Sequence, residues 1–217
     1  MLSHPSRSPS PAIAGHPSPP SLSRSDGTGG STAGSRSKKR KIAVLGYRGV
    51  GKSSTIIRFV DDHFADMYHP TIESTFRKTI KVRGQEYKID IVDTAGMDEH
   101  SMFLSQYTLG VHGYVLVYSV ASRSSFEQIE ILNDKILHAC GSDAVPRILV
   151  GAKCDLRLER QVTIEQGQQL AQKLGCIFLE CSAKHNDNID TVFLKLLESI
   201  ERLQQPAEPQ EENCLLL

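Results

Sequence analysis

One stretch of eight residues constrains this chain more than any other. Gly46-Tyr47-Arg48-Gly49-Val50-Gly51-Lys52-Ser53 fits G-x-x-x-x-G-K-[ST], and its flanks supply the context that pattern needs. Ahead of it, Ile42-Ala43-Val44-Leu45 is a continuous apolar run, as expected of a strand buried on both faces. Behind it, residues 53–60 read as a helix. Such a strand–turn–helix presents backbone N–H groups to an anion. Gly46 and Gly51 let the backbone curl, and the helix N-terminus adds its partial positive charge. In that arrangement Lys52 reaches the β- and γ-phosphates of a nucleotide and the Ser53 hydroxyl ligates Mg²⁺. The alternative is a glycine-rich turn that binds nothing. Arg48 stands where permissive loops have a small residue. Its side chain either lies near the γ-phosphate or projects over it, and in both cases crowds what approaches.

The rest of the pattern extends this unit into a sheet. Residues 76–82 and 87–92 are strand-like and joined across Arg83-Gly84, a hairpin signal. Residues 114–120, 147–150 and 176–179 give three more strands, and residues 126–137, 164–174 and 189–203 give helical patterns. In the last, Ile189, Val192, Phe193, Leu196, Ile200 and Leu203 lie on one helix face. The expected fold class is α/β: a P-loop NTPase with a six-stranded, mostly parallel mixed sheet and helices on both faces.

Composition sets the boundaries. Of the first 37 residues, 22 are Ser, Pro or Gly without a period, too little apolar surface to offset the entropy of ordering. Residues 1–37 are therefore expected to be a disordered tail, with Ser-Pro steps open to phosphorylation. Residues 38–204 form the folded domain and residues 205–217 a flexible tail. Formal neutrality hides a basic head on an acidic body, because residues 1–41 carry seven Lys/Arg and one acid. No stretch nears the ~18 apolar residues of a membrane span, and no signal-peptide core is visible. Five scattered cysteines make neither a disulfide framework nor a zinc module, and the histidines show no ligand spacing. Nothing in the pattern calls for a nucleic-acid partner.

Five motifs then occur in one order: residues 46–53, Tyr68-His69-Pro70-Thr71-Ile72-Glu73, Asp93-Thr94-Ala95-Gly96, Lys153-Cys154-Asp155 and Ser182-Ala183-Lys184. Together they resemble the Ras-like small GTPases across the whole folded unit. The Tyr47-Arg48 pair, residues 50–54, Glu73-Ser74-Thr75-Phe76 and residues 114–120 look most like the Rheb branch. The resemblance implies a domain with five helices that binds GTP or GDP with Mg²⁺. Residues Arg48, Gly49, Val50, Gly51, Lys52, Ser53 and Ser54 would cradle the phosphates. Ser53, Thr71 and, through water, Asp93 would hold Mg²⁺. Thr71 and the N–H of Gly96 would sense the γ-phosphate, and loss of that group would release both loops. Phe64 would pack on guanine and Asp155 would accept from its N1 and N2 donors. The Lys153 stem would cover the base, and Ser182, Ala183 and Lys184 would close the pocket. Tyr68 and Pro70 would complete the nucleotide contacts. Tyr68, Thr71, Ile72 and Glu73 would form an effector surface for a TOR-type kinase complex, with a tuberin-type activating protein as negative regulator.

Two positions depart from the family pattern. Met97 stands where most members have the glutamine that orients the attacking water, and a thioether makes no comparable hydrogen bond. Ala152 replaces the asparagine that precedes Lys153, whose amide bonds the base and ties the base loop to the phosphate loop. The expectation is slow hydrolysis, fast exchange and a bias to the GTP state. The rival reading is a pseudoGTPase, an interaction module without turnover. At the C-terminus, Cys214-Leu215-Leu216-Leu217 fits a C-a-a-X prenylation box with Leu last, which implies attachment to the cytoplasmic face of a membrane alongside a cytosolic pool. One lipid gives reversible attachment. The run Lys38-Lys39-Arg40-Lys41 is read as a second membrane signal, a nuclear import signal or a plain soluble flank.

Overall fold

The structure is a computed structural model, and it describes residues 36–64, 71, 73–97 and 107–204. Its centre is strand β1 (Lys38–Gly46), which leads through the glycine-rich turn into helix α1 (Lys52–Asp61). There follow β2 (Glu73–Val82), β3 (Gln85–Thr94), β4 (Gly113–Ser119), α2 (Arg123–Cys140), β5 (Arg147–Ala152), α3 (Ile164–Leu174), β6 (Ile177–Cys181) and α4 (Ile189–Gln204). The sheet order is β2-β3-β1-β4-β5-β6, parallel throughout except for β2 against β3.

The two faces follow from the period of a strand. In β1, Ile42 and Val44 point to one side and Ala43 and Leu45 to the other. The first side packs against α1 and α4 through Ile56, Phe59, Phe193 and Leu196, with Phe59 and Phe193 stacked 4.0 Å apart. The second packs against α2 and α3 through Ile129, Leu132, Ile136 and Leu170. Both faces are thus covered, which is why β1, β4 and β5 read as unbroken apolar runs. The mixed six-stranded sheet with helices on both faces is the fold expected. Among the described residues there are four α-helices rather than five, with a short 3₁₀ turn at Arg157–Glu159.

Local signals place the joints. Arg83 and Gly84 both have positive φ, the geometry of a two-residue hairpin turn whose twist matches its strands. Ser122 caps α2 by accepting from the Ser125 N–H, and Thr163 and Gln166 form a reciprocal capping box on α3. The strand boundaries differ from the pattern by up to four residues, and three of the differences bear on the reading. β2 begins at Glu73 because the polar Glu73, Ser74 and Thr75 pair with Thr94, Asp93 and Val92 at the sheet edge. β6 spans Ile177–Cys181, not residues 176–179.

The third difference changes a reading. β1 starts at Lys38, so the basic run is the first half of the central strand and not a free flank. Lys38 and Arg40 both pair with Glu201 of α4, at 2.6 Å each, and the Lys41 ammonium donates to the Leu109 carbonyl. The last helix and the turn before β4 hold three of the run's four charges, leaving less of it for a membrane or an import receptor.

Gly167 in α3 shows how tightly the second face is closed. A Cβ there would lie 2.4 Å from the Phe178 ring and 2.7 Å from the Tyr118 hydroxyl. Alanine gains about 1 kcal/mol of helix propensity, but overpacking against a ring and a buried phenol costs about 1–3 kcal/mol. Gly167→Ala is therefore expected to lower the stability measured by urea unfolding. A rise in the midpoint would contradict this packing.

Candidate nucleotide site

Parallel strands β1, β3, β4, β5 and β6 end on one edge, and the loops that follow them gather there, the usual position for a ligand in an open α/β sheet. The phosphate loop is fixed first. At Gly46 the strand passes so close to β4 that a Cβ would lie 2.1 Å from the Val117 carbonyl oxygen, so no other residue fits. Gly51, at φ +108°, is the N-cap of α1 and offers no side chain to cap it. The first N–H groups of α1 are left for an outside acceptor. Val50 is buried in the core, so only its backbone faces the loop, while Gly49 and Arg48 are exposed.

Lys52 is buried, and its ammonium donates to the carbonyls of Gly46 and Tyr47 at 3.3 and 3.1 Å. Burial pulls its pKa down to about 8, against the pull of the Asp93 carboxylate. A desolvated cation ringed by neutral carbonyls is poised to take an anionic partner. Beside it, Ser53 Oγ and Thr71 Oγ1 are 2.8 Å apart. Asp93, at the end of β3, is 1% exposed and its Oδ1 has no hydrogen-bond partner. Burial raises the Asp93 carboxyl above its usual range, opposed by the Ser53 hydroxyl, the Lys52 cation and the Thr71 hydroxyl. Two hydroxyls and an orphaned buried carboxylate oxygen make a donor set of hard oxygens, and these fit a small divalent cation such as Mg²⁺.

Residues 96 and 97, just after β3, lie against the phosphate loop. A Cβ on Gly96 would lie 2.3 Å from Arg48 Cα, and the Met97 N–H donates to the Gly46 carbonyl at 3.1 Å. The Arg48 guanidinium projects outward, 5.5 Å from the centre of the Tyr47 ring. Met97 is 8% exposed and lies in the apolar cluster of the second face with Tyr107, Ile129 and Leu132. Its thioether is thus directed at the core. Met97, at the position of the family's usual glutamine, therefore packs as a core residue.

On the base side, Lys153 adopts a left-handed backbone at φ +62° and sends its ammonium to the Gly49 carbonyl at 2.7 Å. It ties the base loop to the phosphate loop, a link expected to be missing with alanine at position 152. Ala152 itself is buried, its methyl facing Gly51. Asp155 Oδ1 accepts from Ser182 Oγ at 2.6 Å, and Ser182 Oγ accepts from the His185 N–H. Ala183 and Lys184 follow in the same turn, and Phe64 lies half-buried just after α1. Glu73 accepts from the Tyr107 hydroxyl at 3.2 Å. Tyr68, Pro70, Ile72 and Cys214 lie outside the described residues.

Sequence reasoning missed Arg58. From α1 it donates to the Ala183 carbonyl at 2.8 Å and to the Lys184 carbonyl at 3.3 Å, holding the base-side turn. No motif marks it, since it reads only as one polar position of a helix.

A phosphate loop, a hard-oxygen triad and a base loop on the strand ends of a mixed sheet define a nucleotide-binding α/β protein. Comparison with known sequences makes that class narrower. The Ras family model matches residues 41–202. A GTP-binding protein Rheb homolog of Dictyostelium discoideum is 50% identical over 181 residues, 83% of this chain and 98% of that protein. The human GTP-binding protein Rheb is 46% identical over 182 residues, 84% and 99% of the two chains, and the Drosophila melanogaster homolog is 48% identical over 180. The chain belongs to the Ras family of small GTPases, in its Rheb branch.

The Arg58 contacts generate a test. Arg58→Met keeps the helix and removes two charge-assisted anchors, each worth about 1.5–3 kcal/mol at most. Release of bound guanine nucleotide, followed with a fluorescent analogue, is expected to quicken at least about tenfold with little change in the circular dichroism spectrum. An unchanged rate would mean that the turn holds itself.

Proposed function

We propose that this chain is a Rheb-like molecular switch that binds GTP and GDP with Mg²⁺, hydrolyses GTP slowly and rests mainly in its GTP state. The single observation that carries the proposal is the convergence of Ser53, Thr71 and Asp93, from three separate elements, beside the buried Lys52. When bound, Mg²⁺ would neutralise phosphate charge at this triad. Thr71 through its hydroxyl and Gly96 through its N–H would then report the γ-phosphate, and the close approach of Arg48 leaves no room for a side chain at position 96.

Slow turnover is supported by the burial of Met97, which leaves position 97 without a side chain to orient water. The outward Arg48 at the mouth of the phosphate loop favours poor access for a tuberin-type activating protein. Signalling would run through residues 68–73 and the loop after β3 to a TOR-type kinase complex. A prenyl group on Cys214 would hold the protein on the cytoplasmic face of a membrane. The second reading, a pseudoGTPase, rests on Ala152 and Met97. Against it, a decayed site has no reason to keep a buried Asp93 beside two hydroxyls with one of its carboxylate oxygens left unpartnered.

The deciding measurement is the nucleotide content of freshly purified full-length protein, by acid extraction and chromatography. Mostly GTP is expected. Mostly GDP would overturn the slow-hydrolysis reading, and an empty site in a folded protein would favour the pseudoGTPase. Two substitutions refine it. Met97→Gln is expected to leave single-turnover hydrolysis within about threefold of wild type, near or below the ~10⁻⁴ s⁻¹ typical of unaided family members, because the amide enters an apolar cluster. A tenfold gain would show that residue 97 does reach the water. Ala152→Asn is expected to slow GDP release about 5- to 150-fold by adding hydrogen bonds. No change would leave the Lys153 tie as sufficient.

A further inference from the structure

On the edge of the sheet opposite the nucleotide, a groove of about 560 Å³ separates α4 from the β2–β3 hairpin. Its walls carry four cations, Lys38, Arg83, Lys195 and Arg202, and two carboxylates, Glu198 and Glu201. Each carboxylate is already shared. Glu201 takes both Lys38 and Arg40, and Glu198 takes both Arg83 and Lys195. Arg202 is paired with no carboxylate among the described residues. The Arg83 side chain is 84% exposed, so its positive charge is open to a further partner. Val82, Tyr87 and Leu197 give the groove an apolar floor. The groove is therefore short of negative charge in a chain whose body carries a net excess of it.

The missing charge stands next in the sequence. α4 forms one wall and ends at Gln204. The segment that leaves it, Gln205-Pro206-Ala207-Glu208-Pro209-Gln210-Glu211-Glu212-Asn213, contains three glutamates and no cation. Two prolines prevent it from simply prolonging α4. Its length also suits the groove. Lys195 and Arg202 are seven residues apart on a helix, about 10 Å, whereas eight residues of extended chain reach about 25 Å. A reversal over residues 205–207 would bring Glu208 to Arg202 and leave Glu211 and Glu212 within reach of Lys195 and Arg83. We propose that this groove is the docking site of the chain's own acidic C-terminal segment, residues 205–213. The docking is independent of the nucleotide reading, since the groove shares no residue with that site. It is electrostatic and exposed, and therefore weak and sensitive to salt.

The test uses the full chain, labelled with ¹⁵N, beside the triple variant Glu208→Gln/Glu211→Gln/Glu212→Gln. At 50 mM NaCl the amide signals of Arg83, Gln85, Lys195 and Arg202 are expected to differ between the two proteins, and to converge at 500 mM. Amide exchange in residues 207–212 is expected to be about fivefold slower in wild type than in a second variant, Arg83→Gln/Arg202→Gln. Groove signals that are identical in wild type and triple variant at low salt would overturn the proposal. So would phosphatidylserine vesicles that broaden those signals equally in both proteins, because the groove would then belong to an anionic membrane.

Discussion

Everything in this domain hangs on β1 lying between two parallel neighbours with both faces buried. Ile42 pairs with Ile91 on one side and Gly113 on the other, and β1 then runs out at Gly46, where β4 leaves no room for a side chain. That close approach fixes where the chain must turn and aims the next N–H groups at one point. α1 can start only there, and its first residue, Lys52, folds back onto the carbonyls of the turn. The same carbonyl of Gly46 also receives the Met97 N–H, so one backbone position connects the phosphate loop with the loop after β3.

The site is assembled under electrostatic tension. Lys52 and Asp93 are both buried, and burial works against the charge of each. Each is the other's main charged relief, yet Asp93 retains an oxygen without a hydrogen bond. Such an arrangement is costly unless further charge arrives, an anion for one and a cation for the other. A phosphate chain with a divalent metal supplies both at once. The local strain in charge thus matches the ligand that the family binds, whereas the hydroxyls of Ser53 and Thr71 alone would suit many partners.

Much of this was legible in the sequence because motif spacing and apolar runs are one-dimensional. Residues 46–53 announce the turn, the unbroken runs in β4 and β5 announce a covered parallel sheet, and Arg83-Gly84 announces the hairpin. What escaped depends on direction in space. The charges of residues 38–41 hid four residues of strand whose side chains lie at the rim, and the polar Glu73-Ser74-Thr75 did the same at the edge. The identity of Met97 suggested a blunted catalytic position, but only packing shows the side chain turned into the core. Lys153 in a left-handed conformation, and the reach of Arg58 to carbonyls 125 and 126 residues away, leave no periodic trace.

The shared grip of Glu201 on Lys38 and Arg40 has a topological meaning. It brings together residues 163 and 161 positions apart, so the folded chain is nearly a closed ring with its seam on the face away from the nucleotide. A ring with such a seam is a natural substrate for circular permutation: a short peptide from residue 204 to residue 36 would bridge it, and a new opening at the exposed Arg83-Gly84 turn would break no parallel pair. The order in which the strands are synthesised would change completely while the order in which they lie would not. Which of the two this fold answers to would then be readable from whether the rearranged chain still reaches the same sheet.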